Sequence, residues 1–204
     1  IGDEYLAPGF HSYDFWQQYQ TYDVTEALQA GGNAIGFMLG DGWFKGRFGF
    51  DGGYEDLYGD QFRLIAECIV TYEDGTEEII ASDDTWEVAE GPLVSSSIYD
   101  GEVYDANLEI DGWNKYSESE SAVCWERMQL SDTDTEELQA RLSVPVKIVD
   151  AFVPELIITP AGEQVLDFKQ NMTGWITFSA DVPDGTVITY EVGEVLQEDN
   201  FYRD

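Results

Sequence analysis

Apolar residues recur along the chain in short runs and alternations broken by turn residues, so strand signals dominate. Asn33-Ala34-Ile35-Gly36-Phe37-Met38-Leu39-Gly40 is an apolar run between glycines and predicts a strand buried on both faces. From Phe62 to Tyr72 the residues alternate, with Phe62, Leu64, Ala66, Cys68, Val70 and Tyr72 falling on one face of a predicted strand. Glu73-Asp74-Gly75-Thr76 supplies an Asp-Gly turn, and Glu77 to Ala81 returns as the hairpin partner. Trp86-Glu87-Val88 and Leu93-Val94 predict two further short strands separated by Gly91-Pro92. Helical signal is scarce: Asp23-Val24-Thr25-Glu26-Ala27-Leu28 predicts one short turn ending at Gly31-Gly32.

Between Ser117 and Glu137 the texture changes to Ser, Glu, Asp and Thr around a single Trp125. Glu136 to Leu142 predicts a helical turn, after which Val144-Pro145-Val146 restores extended geometry. Gln164 to Phe168, Trp175 to Phe178 and Thr186 to Val192 then form a second set of strand signals, with Pro183-Asp184-Gly185 turning the last two. The expected class is all-β. Residues 1–116 would form an antiparallel jelly-roll-type β-sandwich, 117–143 an acidic connector, and 144–204 a second, incomplete β-sandwich.

Charge narrows the range of partners. Nine Lys and Arg face 42 Asp and Glu in 204 residues, and a net charge of -33 repels nucleic acid and anionic membrane surfaces. No stretch approaches the roughly 20 apolar residues of a membrane span, and no basic-then-apolar leader opens the chain. The abrupt opening at Ile1-Gly2-Asp3-Glu4 and close at Phe201-Tyr202-Arg203-Asp204 suggest a segment of a longer protein, whose compartment the segment does not encode. Two cysteines, Cys68 and Cys124, make neither a disulfide scaffold nor a zinc site and are expected to be free thiols.

The common catalytic arrangements find no support. His11 is the only histidine, and nothing around it resembles a nucleophile elbow. No glycine-rich strand-to-helix turn supports a nucleotide cofactor. Paired carboxylates could serve a glycosidase, but in so acidic a chain pairs arise everywhere. A better-defined constellation joins carboxylates, glycines and aromatics in loops: Gly40 to Arg47, Gly49 to Gln61, and Tyr99-Asp100-Gly101-Glu102-Val103-Tyr104-Asp105. Sugars are held by aromatic faces and by carboxylates that accept hydroxyl hydrogen bonds, and calcium by several oxygens from such loops. The competing structural reading has Trp43, Tyr58 and Tyr99 covering the sandwich ends, Asp60 and Asp105 capping turns, and Lys45 or Arg47 pairing with nearby acids.

Taken in order, Tyr5-Leu6-Ala7-Pro8-Gly9, Tyr19 to Thr25, Leu39 to Arg47, Phe50-Asp51-Gly52, Tyr58-Gly59-Asp60 and Ile98 to Ala106 resemble the first β-sandwich of the bacterial α-L-rhamnosidases of glycoside hydrolase family 78. Leu166 to Trp175 and Gly193 to Leu196 resemble that family's next β domain. Two positions depart from the pattern: Lys169 stands where the family usually has Gly, and Asn107 where it usually has Arg.

The resemblance implies a non-catalytic part of an inverting enzyme that releases terminal α-L-rhamnose. The two catalytic glutamates would lie in an (α/α)6 barrel of the same polypeptide, beyond this chain, and the opening strands of the first sandwich would precede Ile1. The implied partner is a rhamnose-containing carbohydrate, held through Asp41, Trp43, Tyr58, Asp60, Asp100, Glu102 and Tyr104. No cofactor is required, but calcium at Asp41 and Asp100 is implied by the binding modules of some family members.

Overall fold

The computed structural model describes residues 1–117, 123–132 and 138–201. The chain divides into two compact units, Ile1–Lys147 and Ile148–Asp204. Both are all-β, and the only helical elements among the described residues are 3-10 turns at Thr25–Ala27 and Ala106–Leu108.

In the first unit, Glu67–Thr71 and Glu77–Ala81 form an antiparallel hairpin in the expected place, with Cys68 opposite Ile80 and Val70 opposite Glu78. Leu64, Ala66, Cys68 and Val70 are partly covered, while their odd-numbered neighbours are exposed, as the alternation requires; Phe62 and Tyr72, expected on the covered face, are exposed. Gly75 turns the hairpin at φ 83°, and Asp74 accepts hydrogen bonds from the Thr76 amide (2.9 Å) and hydroxyl (2.6 Å).

Leu93–Ser97 pairs antiparallel with Gly101–Tyr104, with a register shift between Leu93 and Ser95. Glu4–Tyr5 pairs with Val146–Lys147, and Glu87–Val88 with Glu126–Arg127. Gln17–Tyr19 runs parallel to Leu138–Ala140. The segment expected as a connector therefore supplies ladder strands at Glu126–Arg127 and Leu138–Ala140; its residues 118–122 and 133–137 lie outside the described residues.

In the second unit, Glu155–Ile158 pairs antiparallel with Gln164–Asp167, and Leu196–Gln197 with Asn200–Phe201. The turn at Pro183–Gly185 forms, with the Thr186 amide donating to the Pro183 carbonyl at 3.1 Å and Gly185 at φ 80°.

Four local expectations are corrected. Asn33–Gly40 is irregular, with Ile35, Phe37, Met38 and Leu39 substantially exposed, because no ladder partner reaches it among the described residues. Trp175–Phe178 and Thr186–Val192 likewise join no ladder among the described residues. Leu138–Ala140 is a strand and not part of a helical turn, because its backbone is drawn into parallel pairing with Gln17–Tyr19. Among the described residues the expected antiparallel pairing has two parallel exceptions, this ladder and the isolated bridge between Gly42 and Ser97.

Packing centres on aromatic contacts: among the described residues no large apolar side chain is fully buried, whereas His11 is only 5% exposed. Its ring lies 3.9 Å from Tyr13 and 5.3 Å from Trp16, centroid to centroid. His11 Nδ1 lies 3.3 Å from Gln18 Nε2, and Nε2 lies 3.4 Å from Gln17 Oε1. Both cysteines are free thiols.

Candidate functional site

Asp41 opens a tight loop whose backbone turns back on it: the Lys45 amide donates to the Asp41 carbonyl at 3.0 Å, and the Gly46 amide at 3.4 Å. A Cβ at Gly46 would stand 2.5 Å from the Gly42 carbonyl oxygen, so this turn requires glycine. The loop is fastened to the strand Leu93–Ser97 by the Gly42 amide on the Ser96 carbonyl (3.2 Å) and by the Ser96 amide on Asp41 Oδ2 (3.0 Å). Lys45 Nζ closes the other carboxylate oxygen at 2.9 Å. Burial pushes the Asp41 carboxyl upward, but the Ser96 amide and Lys45 outweigh it and hold the pKa below 3.8.

Arg47, at the loop's end, reaches the turn after the same strand. Its Nε lies 2.9 Å from both oxygens of Asp100, and Nη2 lies 2.7 Å from Oδ1. Nη1 donates to the Gly49 carbonyl at 2.7 Å, and the guanidinium lies 5.2 Å from the Tyr99 ring centroid. This bidentate arginine lowers the Asp100 pKa. Trp43 and Phe48 each lie 6.2 Å from Tyr99, Phe50 lies 5.7 Å from it, and Phe10 lies against both Trp43 and Phe48.

Asp41, Trp43 and Asp100 therefore converge on one strand end. Tyr58 belongs to a second ring cluster, 4.9 Å from Tyr13 and 6.4 Å from Phe44. There burial, helped by Tyr58, pushes the Tyr13 pKa up to about 12. Asp60 is exposed. Glu102 stands opposite Ser96 in the ladder with its side chain exposed, and the Tyr104 hydroxyl donates to Glu109 at 2.8 Å, which raises its pKa. Among the described residues no hydrogen bond or ring contact links Asp60, Glu102 or Tyr104 to the Asp41 and Asp100 side chains.

Calcium takes six to eight oxygens, whereas Asp41 and Asp100 are each already joined to a cationic side chain. No group of three or more His, Cys, Asp or Glu suited to a metal occurs among the described residues. Asp105 accepts from the Asn107 amide (3.0 Å) and side chain (2.7 Å), capping the turn Ala106–Leu108.

Sequence reasoning missed Phe10 and Phe48 and, elsewhere in the first unit, the pair of Arg141 with Glu4. A signal for the pair was available, since any arginine in a chain this acidic is expected to hold a specific carboxylate.

Residues 1–150 match the family model of the α-L-rhamnosidase N-terminal domain, and residues 157–204 that of the bacterial α-L-rhamnosidase concanavalin-like domain. An α-L-rhamnosidase of Streptomyces avermitilis is 36% identical over 201 residues, covering 98% of this chain and 19% of the relative. One from Alteromonas sp. (strain LOR) is 31% identical over 209 residues, covering 98% of this chain and 22% of the relative. The chain thus spans about a fifth of the length of the curated relatives it matches.

Among solved structures, the native α-L-rhamnosidase from Aspergillus terreus superposes with a TM-score of 0.71 at 35% identity, over 86% of this chain and 20% of that one. The Streptomyces avermitilis enzyme, solved in complex with L-rhamnose, gives 0.65 at 33% identity, over 84% of this chain and 16% of that one. Matched over nearly its whole length, the chain belongs to the α-L-rhamnosidase family, of which it carries the N-terminal domain followed by concanavalin-like sequence.

Proposed function

We propose that the chain is a non-catalytic accessory segment of an inverting α-L-rhamnosidase, and that a catalytic barrel elsewhere in the same polypeptide releases terminal α-L-rhamnose. The observation that carries this reading is the state of the carboxylates. Glycoside hydrolysis needs one carboxylic acid kept protonated near neutral pH, beside a second carboxylate. Asp41 and Asp100 are both displaced downward, as are Asp3, Glu4, Asp23, Asp74, Asp83, Asp105 and Asp167.

Exposed apolar side chains on strands, such as Ile69, Ile79, Leu156 and Ile158, support a bracing role against other parts of the parent enzyme. The purified 204-residue chain is expected to leave an aryl α-L-rhamnoside intact. Turnover that co-purifies with the chain and disappears in Asp41→Asn or Asp100→Asn would overturn the reading.

The alternative, a calcium-dependent rhamnose-binding module using the Asp41 to Tyr104 loops, draws on the exposed faces of Phe50, Tyr99 and Tyr104. Calcium would have to displace Lys45 and Arg47 first. Calorimetry with L-rhamnose, with and without calcium, separates the two: calcium-dependent heat favours the module.

A further inference from the structure

His11 is the one histidine of the chain, and it is buried, although neither loop cluster uses it. A buried imidazole needs a partner at each ring nitrogen, and two glutamine side chains supply them. Neither glutamine is free to turn. Gln17 Nε2 donates to the Tyr13 carbonyl at 2.9 Å, which leaves Gln17 Oε1 facing His11 Nε2 at 3.4 Å. Gln18 Oε1 accepts the Leu142 amide at 3.0 Å, which leaves Gln18 Nε2 facing His11 Nδ1 at 3.3 Å. An amide oxygen only accepts and an amide nitrogen only donates, so His11 Nε2 carries the hydrogen and Nδ1 the lone pair. The surroundings fit one neutral tautomer.

That tautomer ties distant parts of the first unit together. Gln18 pairs with Gln139 in the parallel ladder, and the Arg141 amide extends the pairing by donating to the Tyr19 carbonyl at 3.0 Å. The bond from Leu142 to the Gln18 side chain carries the connection one residue further. On the other side, the Tyr13 ring stands edge-on to Phe44 at 5.2 Å, and Phe10 lies 5.4 Å from Trp43. The segment around His11 therefore touches both the ladder and the loop that Asp41 opens.

A second proton on the ring would change this arrangement at one atom. An N–H at Nδ1 would point at the Gln18 NH2, donor against donor. Among the described residues no carboxylate is bonded to the ring. The titratable and charged groups around it are Tyr13 and the exposed Asp14 on its own segment, Tyr58 behind Tyr13, and Arg141 beside Leu142, held by Glu4. The Gln18 amide holds the acceptor that the imidazolium lacks. Turned over, it presents Oε1 to Nδ1 and gives up the Leu142 amide. Leu142 is 76% exposed, so water takes its N–H and no buried donor is orphaned.

We propose that His11 is a proton-sensitive latch: neutral, it holds Gln18 on Leu142 and so fastens the end of the parallel ladder; protonated, it turns the Gln18 amide and releases Leu142. Ordinary histidine titration falls between about pH 5 and 8, a range open to solution NMR. In the 15N-labelled chain the single imidazole needs no assignment. Near neutral pH its Nε2 is expected in the protonated shift range and Nδ1 in the unprotonated range. As pH falls, the Leu142 amide and the Gln18 side-chain NH2 should move with the same midpoint as the ring. His11→Phe keeps an aromatic ring without nitrogens and should abolish the Leu142 response. Gln18→Met, which keeps the side-chain length, should abolish it while the ring still titrates; circular dichroism checks that each variant folds, and either one alone decides the matter. An Nδ1–H tautomer at neutral pH, a ring that stays neutral until the chain unfolds, or a Leu142 response that survives in either variant would overturn the latch.

Discussion

Lys169 shows how one residue's backbone carries information its side chain does not. Its φ of 64° lies in the left-handed region, where a Cβ costs roughly 1–2 kcal/mol, and it stands where glycine is expected from the family resemblance. Two devices hold the lysine there. The Asp167 carboxylate accepts its amide at 2.8 Å, and its ammonium lies 3.0 Å from Asp167 and 3.1 Å from Glu155. These ion pairs are exposed and weak. Lys169→Gly relieves the strain but adds freedom to the unfolded chain, so a net gain of about 0.5 kcal/mol is expected. Lys169→Ala keeps the strain, loses the pairs and should be less stable than the parent. Urea unfolding of the three proteins tests this order.

At the scale of elements, what was legible in the sequence was local. The hairpin from Glu67 to Ala81 could be read because alternation and the Asp-Gly turn lie within one short stretch. An ion pair for Arg47 was expected with nearby acids, but its partner Asp100, 53 residues away, was not foreseen; the capping by Asp105 was legible from turn chemistry. The parallel ladder of Gln17–Tyr19 with Leu138–Ala140 was not legible, because both strands are too short to show an alternation and their partnership spans most of the chain. Asn33–Gly40 erred the other way: its composition marks apolar extended chain, but a strand also needs a partner, and composition does not name one.

The lock between the Asp41 loop and the strand Leu93–Ser97 gives a pH prediction at this same scale. The Asp41 pKa is lowered in the folded state, so its stabilisation is fully present above 3.8 and is lost as pH falls through the lower folded value. Asp41→Asn should therefore be about 1 kcal/mol less stable than the parent at pH 7, a discounted figure for a partly exposed carboxylate with one amide donor and one ammonium. The gap should close as pH falls below 3.8. A gap that stays constant with pH would mean that loop shape, and not charge, makes the lock.

For the whole molecule, the imbalance of charge decides the response to salt. Nine basic residues face 42 acidic ones, so even complete pairing leaves a net -33 repelling itself. Salt weakens exposed pairs such as Arg47 with Asp100, but it weakens the long-range repulsion as well, and the repelling carboxylates far outnumber the pairs. The less exposed Arg141–Glu4 pair is screened least. The thermal midpoint is therefore expected to rise as sodium chloride increases from about 10 mM, where the Debye length is roughly 30 Å, to about 150 mM, where it is roughly 8 Å. A fall would mean that the few ion pairs outweigh the global field. Calcium and magnesium chloride at matched ionic strength should raise the midpoint equally, because Asp41 and Asp100 are held by Lys45 and Arg47. An excess shift with calcium that Asp41→Asn removes would instead show that calcium displaces the lysine, since a ligand bound only to the folded state adds stability beyond screening.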